Sequence, residues 1–248
     1  LSYGCAVDYP LSEVSKGRDN NYNLIRFIAA SMVLFSHSYA LVSGDETSQP
    51  LLKSLGMTWG SISVDVFFII SGLLIATSFA HRSHIISFVL ARILRIFPAL
   101  IASSFLAVFV VGICFTQLDW YEFLSHPETI EFLYKNSTLY WGVEYFLPEV
   151  FVGLPYEGVI NGSIWTLRYE LRMYGWLVLL SYLFLWIESK SHSKVTVKQL
   201  FGIVLVVSLC GVLYTHYFSV KEYTYWKLFY MFFLGVAAYH FNSKIILS

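Results

Sequence analysis

Charge is what this chain has least of. Asp, Glu, Lys and Arg make up 13% of its residues, about half of the ~25% of an ordinary soluble domain. Cysteine is scarce too. Cys5, Cys114 and Cys210 are far apart and fit no metal-ligand spacing, so neither a disulfide framework nor a metal centre is indicated. Cys114 and Cys210 lie in apolar runs and read as small hydrophobes. Residues 1–21 are polar and lack the apolar core of a signal peptide. There is no internal repeat, no low-complexity tract, no basic nucleic-acid patch and no Gly-rich phosphate loop. The formal net charge is zero, so the total points to no electrostatic partner. What the chain does have is apolar: 57% hydrophobic and 19% aromatic residues, with a mean hydropathy of +0.63. These values predict an integral membrane protein of the all-α class, a polytopic bundle of transmembrane helices.

A spanning helix needs about 20 apolar residues. Six runs meet or approach that length, at about Tyr22–Val42, Ser61–Ala80, Ile85–Thr116, Ile164–Ile187, Gln199–Tyr217 and Trp226–Phe241. The third is too long for a simple span. Its start reads as an interfacial amphipathic turn carrying Arg92 and Arg95, with Pro98 marking a kink. Orientation follows from the basic residues. With the N-terminus inside, the inner segments hold Lys16, Arg18, Arg82, Lys190, Lys194, Lys198 and Lys244, with Arg26, Arg92 and Arg95 at inner helix ends. The outer side has Lys53, Lys135, Lys221 and Lys227. The organisation expected is a cytoplasmic segment over 1–21 and a transmembrane domain over 22–242, with an acidic, aromatic extracytoplasmic loop at 118–162. A loop of that length is functional or carries small helices of its own.

Ionisable groups at membrane depth are costly and are read first as functional. Arg26 and His37 are eleven residues apart, which at 100° per residue puts them on one helix face about 16 Å apart. His37 is expected buried in mid-helix, whereas His81, His84, His126 and His192 fall in loops or at helix ends. Ser36 and Ser38 flank it, and a histidine simply hydrogen-bonded between helices is the plain alternative. Asp65 and Gly72 share a face of the second run, where a structural ion pair or helix cap would equally explain the aspartate. Arg92 and Arg95 are neighbours on one face and offer donor forks suited to phosphate; lipid headgroups would also satisfy them. Glu170 and Tyr174 share a face of the fourth run. Glu170 can pair with Arg168 or Arg172, or meet His37 at comparable depth on an oppositely directed helix. A carboxylate beside an imidazole fixes its tautomer and raises its basicity.

Four stretches, in order, resemble the acyltransferase-3 family of membrane O-acyltransferases, which includes O-antigen and exopolysaccharide acetyltransferases. They are Arg26 with His37; the run Ser63–Gly72, SVDVFFIISG; the run Arg92–Pro98, RILRIFP; and Asn161–Leu167, NGSIWTL, followed by Tyr169, Glu170 and Tyr174. The resemblance covers about Asn20 to Tyr239. Arg168 departs from it, standing where a proline or small residue is common. The resemblance implies transfer of an acyl group, usually acetyl, from cytoplasmic acetyl-CoA or another acyl-CoA to a hydroxyl of an extracytoplasmic glycan or lipid-linked sugar. It further implies a multi-pass protein of the bacterial inner membrane, N-terminus cytoplasmic, in contact with membrane lipids, with no tightly bound cofactor, metal or nucleic acid. His37 is the expected base or acyl carrier and Glu170 its orienting partner, both catalytic. Arg26, Asp65, Arg92, Arg95, Trp165 and Tyr174 are the expected substrate-binding residues. The family has about ten spans, so the C-terminal helices are expected to be missing here. The rival reading is a proton-coupled transporter with His37, Glu170 and Asp65 as relay; the matching broken helices of transporter repeats are not seen.

Overall fold

The computed structural model describes residues 9–10, 21–80, 84–190, 196–242 and 246–247. The N-terminal segment with Lys16 and Arg18, and also His81, Arg82, His192, Lys194 and Lys244, lie outside the described residues. Among the described residues the architecture is all-helical apart from a two-residue antiparallel pairing of Tyr9–Pro10 with Ile246–Leu247. The helices are α1 (Tyr22–Ser43), α2 (Pro50–Leu55), α3 (Trp59–Ala80), α4 (Ile85–Leu106), α5 (Trp120–Ser125), α6 (Pro127–Thr138), α7 (Trp165–Lys190), α8 (Val197–Tyr217) and α9 (Tyr223–His240). Among the described residues, five helical segments are long and apolar enough to cross a membrane: Tyr22–Ser43, Trp59–Ala80, Ile85–Phe115, Gly162–Ile187 and Val197–Tyr217. The sixth apolar run is helix α9, whose first turn, Tyr-Thr-Tyr-Trp-Lys, is more polar. Apolar side chains on the outside of α1 and α8 are exposed, among them Leu34, Val42, Val206 and Leu213, as on a helix that meets lipid.

The chain divides into two units. α1 passes from the first to the second after Met32, and α7 returns to the first after Leu171. In the first unit, α3 and α9 meet backbone to backbone. A Cβ at Gly72 would run into the carbonyl oxygen of Phe232, and a Cβ at Gly235 into that of Ile69. Small residues permit this approach where no hydrophobic force pulls helices together. Phe232, Phe233 and Val236 are fully buried beside the contact. α8 packs on α9 with Phe201 stacked on Phe233, 6.2 Å between centroids. Helix α8 starts at Thr196 because a capping box forms there. The Gln199 amide N–H donates to Thr196 Oγ1 at 3.3 Å, and the Thr196 N–H donates to Gln199 Oε1 at 2.8 Å.

In the second unit, α4 does not break at Pro98. It is helical from Ile85, and it continues through a π-helical turn, Ala107–Gly112, to Phe115. The extra length of the third run therefore lies at its far end, where Ala107 and Val108 join Phe123, Phe132, Leu147 and Val150 in one core. Gly112 lets the Phe123 ring close onto the helix, since a Cβ there would strike it. α5 and α6 give the 118–162 segment its own helices. The chain then turns sharply at Leu139, φ 57°. The turn is clasped by Asn136, fully buried, whose amide donates to the Glu144 carbonyl at 2.8 Å and accepts from the Glu144 N–H at 2.9 Å. Lys135 pairs with both Glu131 and Glu144; those two carboxylates raise its pKa, Glu131 foremost.

Candidate functional site

His37 lies on the second-to-last turn of α1. The expectation of a buried histidine is corrected: His37 is exposed, and its neighbour Ser36 is the buried residue, at 4% exposure. The reason is helical phase. Ser36 faces Gln49 and Gly60, and one residue of helix turns His37 about 100° away from them. On its own side His37 meets the start of the fourth span. Its Cε1 is 3.9 Å from where a Cβ on Gly162 would sit, so the imidazole faces the Asn161-Gly162-Ser163 turn across the space a side chain on Gly162 would take. That turn is held by Asn161, whose Oδ1 accepts from the Ser163 hydroxyl at 2.8 Å and from the Ser163 N–H at 3.3 Å. It runs directly into α7.

Trp165 and Tyr169 stack edge to face on the first turns of α7, 5.7 Å apart, and Glu170 follows, half-buried. Arg168 is spent on aromatic neighbours. Its guanidinium lies 5.0 Å from the centre of the Tyr169 ring and donates to Tyr169 Oη at 3.1 Å. Its charge also opposes the rise that burial imposes on the pKa of Tyr145. Arg92 and Arg95 lie seven and ten residues inside α4, roughly 10 and 15 Å from its start. Arg92 is half-buried, 5.7 Å from the centre of the buried Phe88 ring, and Arg95 is exposed.

The remaining candidates belong to the first unit. Arg26 is half-buried near the start of α1. Asp65, 7% exposed, forms an ion pair with Lys227 of α9, Oδ2 to Nζ 2.8 Å, and its Oδ1 is buried with no hydrogen-bond partner. Tyr174 is buried against Phe232, 6.1 Å between ring centres. Two residues escaped the sequence reading. In the sequence Lys227 reads as a flanking loop charge, although a carboxylate inside an apolar run calls for a cation on another run. Gln49 carries no sequence signal at all.

Taken together, these are the features of a multi-pass helical membrane protein that presents an open histidine against a polar turn at the head of a second spanning segment. A family model described as an acyltransferase domain matches residues 19–246, and the chain belongs to that acyltransferase-3 family. It is 34% identical over 171 residues to a protein named nodulation protein 10 of Rhizobium leguminosarum bv. viciae, covering 66% of this chain and 45% of that protein. It is also 34% identical over 163 residues to an O-acetyl transferase of Shigella phage Sf6, covering 63% of this chain and 44% of that protein. The aligned part thus spans under half the length of these curated relatives. No solved structure matches the chain.

Proposed function

We propose that this protein is a membrane O-acyltransferase that moves an acyl group, acetyl in the first instance, from cytoplasmic acyl-CoA to a hydroxyl of an extracytoplasmic carbohydrate. The observation that carries the reading is the open His37 imidazole set against the Gly162 turn, in a chain of a family of acyltransferases. His37 takes the proton of the acceptor hydroxyl, the hydroxyl oxygen bonds to the acyl carbonyl carbon, and the thioester C–S bond breaks. The imidazolium then returns its proton to the departing CoA thiolate. An acyl-histidine is the variant in which the imidazole itself attacks first. Glu170, the expected orienting partner, lies eight residues after Gly162 in the same helical run, about 12 Å further along it, so its part in this scheme is to offset the imidazolium charge through the field rather than by a direct bond. Arg92 and Arg95 contact the CoA phosphates. The cytoplasmic N-terminus and the bacterial inner membrane as location belong to the same proposal.

The relay reading has less support, because Asp65 is engaged by Lys227. Mass spectrometry of the surface glycan from cells carrying His37→Ala tests the proposal. The acyl mark is expected to vanish while the protein still inserts and still binds CoA. Normal acylation by correctly inserted His37→Ala protein overturns it.

A further inference from the structure

We propose that Gln49 is a positioning residue that fixes the direction of His37 by holding Ser36; the inference rests on the reading of His37 given above. The Ser36 hydroxyl donates to Gln49 Oε1 at 2.5 Å, and both residues are buried, at 4% and 5% exposure. Gln49 occupies the N-cap position of α2, yet its side chain makes no capping bond to that helix. The capping capacity a side chain normally spends on its own helix is directed to α1 instead.

The surroundings of this bond leave little play. A Cβ at Gly60 would come within 2.9 Å of Ser36 Oγ and 3.3 Å of Ser36 Cβ, so α1 is pressed against the start of α3 at this residue. The segment that carries Gln49 is itself stiff. Asp45 caps the turn Glu46–Ser48, accepting from the Thr47 N–H and hydroxyl at 2.8 Å each. Pro50 follows at the first position of α2. Gly44 ends α1 with φ +69°, and a Cβ there would lie 2.5 Å from the Pro155 carbonyl oxygen.

A buried hydrogen bond specifies rotation about the helix axis more sharply than apolar contact does, because it tolerates little angular error. Ser36 and His37 are adjacent on one helix. Fixing the azimuth of Ser36 therefore fixes that of His37, toward the Gly162 turn. Gln49 touches no reacting atom in this scheme; it acts through Ser36.

The test compares Gln49→Leu with Gln49→Glu, which keeps an oxygen at the Oε1 position and whose carboxyl, at a site 5% exposed, burial holds in the neutral protonated form, in the membrane-embedded protein. Misplacement of a catalytic group by about 1 Å can cost on the order of 100-fold in rate. For Gln49→Leu a loss in kcat of roughly 10- to 100-fold is expected, with KM for acyl-CoA unchanged within about twofold. Gln49→Glu is expected to stay close to the parent. A second readout needs no activity: the rate at which diethylpyrocarbonate modifies His37, followed by mass spectrometry, should shift in Gln49→Leu and return in Gln49→Glu. A parental kcat and modification rate in Gln49→Leu overturns the inference, as does equal damage in both variants. His37→Ala is run alongside. Should that variant stay fully active, the functional reading fails, and the modification rate alone decides whether Gln49 orients His37.

Discussion

The ion pair between Asp65 and Lys227 allows a worked prediction. The two side chains are 10% and 18% exposed and meet at 2.8 Å. At that 2.8 Å separation the gross attraction is about 6 kcal/mol for an effective dielectric near 20. Much of it is offset by the desolvation of two charges, so the net worth of the pair is small. Removing one partner is a different matter, because the other charge is left buried and alone. Asp65→Ala is therefore expected to cost about 3–5 kcal/mol, and Lys227→Met about as much. The double variant Asp65→Leu/Lys227→Met should recover most of that loss, since apolar replacement of a buried pair is often neutral or stabilising. Thermal unfolding in detergent, read by intrinsic fluorescence, measures the three variants. A drop of roughly 10 °C in each single variant and a smaller one in the double follows from the usual entropy of unfolding for a chain of this size. Additive losses in the double variant would refute the reasoning. The same set separates architecture from chemistry: a stable double variant that retains transfer makes Asp65 structural, and a stable but inactive one returns it to the substrate site.

Gly72→Ala should destabilise the protein by about 3 kcal/mol, the upper end of the usual cost of overpacking, since its Cβ meets a backbone carbonyl of α9, whereas Gly175→Ala, with nothing within 4 Å, should be neutral or mildly stabilising in a thermal melt. Lys135 has its pKa raised by Glu131 and Glu144, so its contribution is full below the unfolded value of about 10.4 and is lost as pH rises through the folded one. Asp45, whose pKa the Thr47 hydrogen bonds lower, contributes above its unfolded value of about 3.9 and loses that contribution as pH falls through its lower folded one. Protection factors against hydrogen exchange in these two segments, corrected for the base-catalysed intrinsic rate, should thus be level across neutral pH, and a change in protection centred near pH 7 would contradict both assignments. Ile130→Cys, at a site 58% exposed, should react with an impermeant thiol reagent added outside intact cells; reaction only after permeabilisation would invert the proposed orientation. Arg95→Glu should weaken CoA binding more than Arg95→Lys does, and unchanged affinity in both removes phosphate binding from Arg95.

The spanning helices were legible because the signal is local: about 20 apolar residues in a row suffice, whatever the tertiary structure. The third run shows where that signal fails. Its surplus length suggested a separate interfacial start and a kink at Pro98. The helix runs unbroken through Pro98, and its far end forms one wall of the core around Phe123 and Phe132. Apolar length says that residues avoid water but does not say whether lipid or protein covers them. Pro98 does not end the helix: a proline removes one N–H donor and crowds one turn, which a long helix embedded among other elements can absorb.

The candidate site divides along the same physical line. His37, Glu170 and the Asn161-Gly162-Ser163 turn were visible because their polarity stands out within apolar sequence, and the fold sets His37 beside that turn. Asp65 stood out for the same reason, but its partner lies on a helix 162 residues further along the chain, and no pattern within either run links the two. Gln49 gives no signal because a polar residue between two apolar runs reads as loop, and its burial arises only in the fold, where Ser36 of α1 bonds to it. Helical phase supplies the last step. Ser36, His37 and Ser38 look equivalent as a polar triplet, and a helix cannot turn all three inward. The structure gives the buried direction to Ser36, through Gln49 and Gly60, and so leaves His37 in the open. On the proposed reading, His37 accepts a proton from an incoming hydroxyl and needs an open side, whereas Ser36 sets the helix's rotation and needs a closed one. The exposed histidine and the buried serine beside it are two consequences of one rotation of α1.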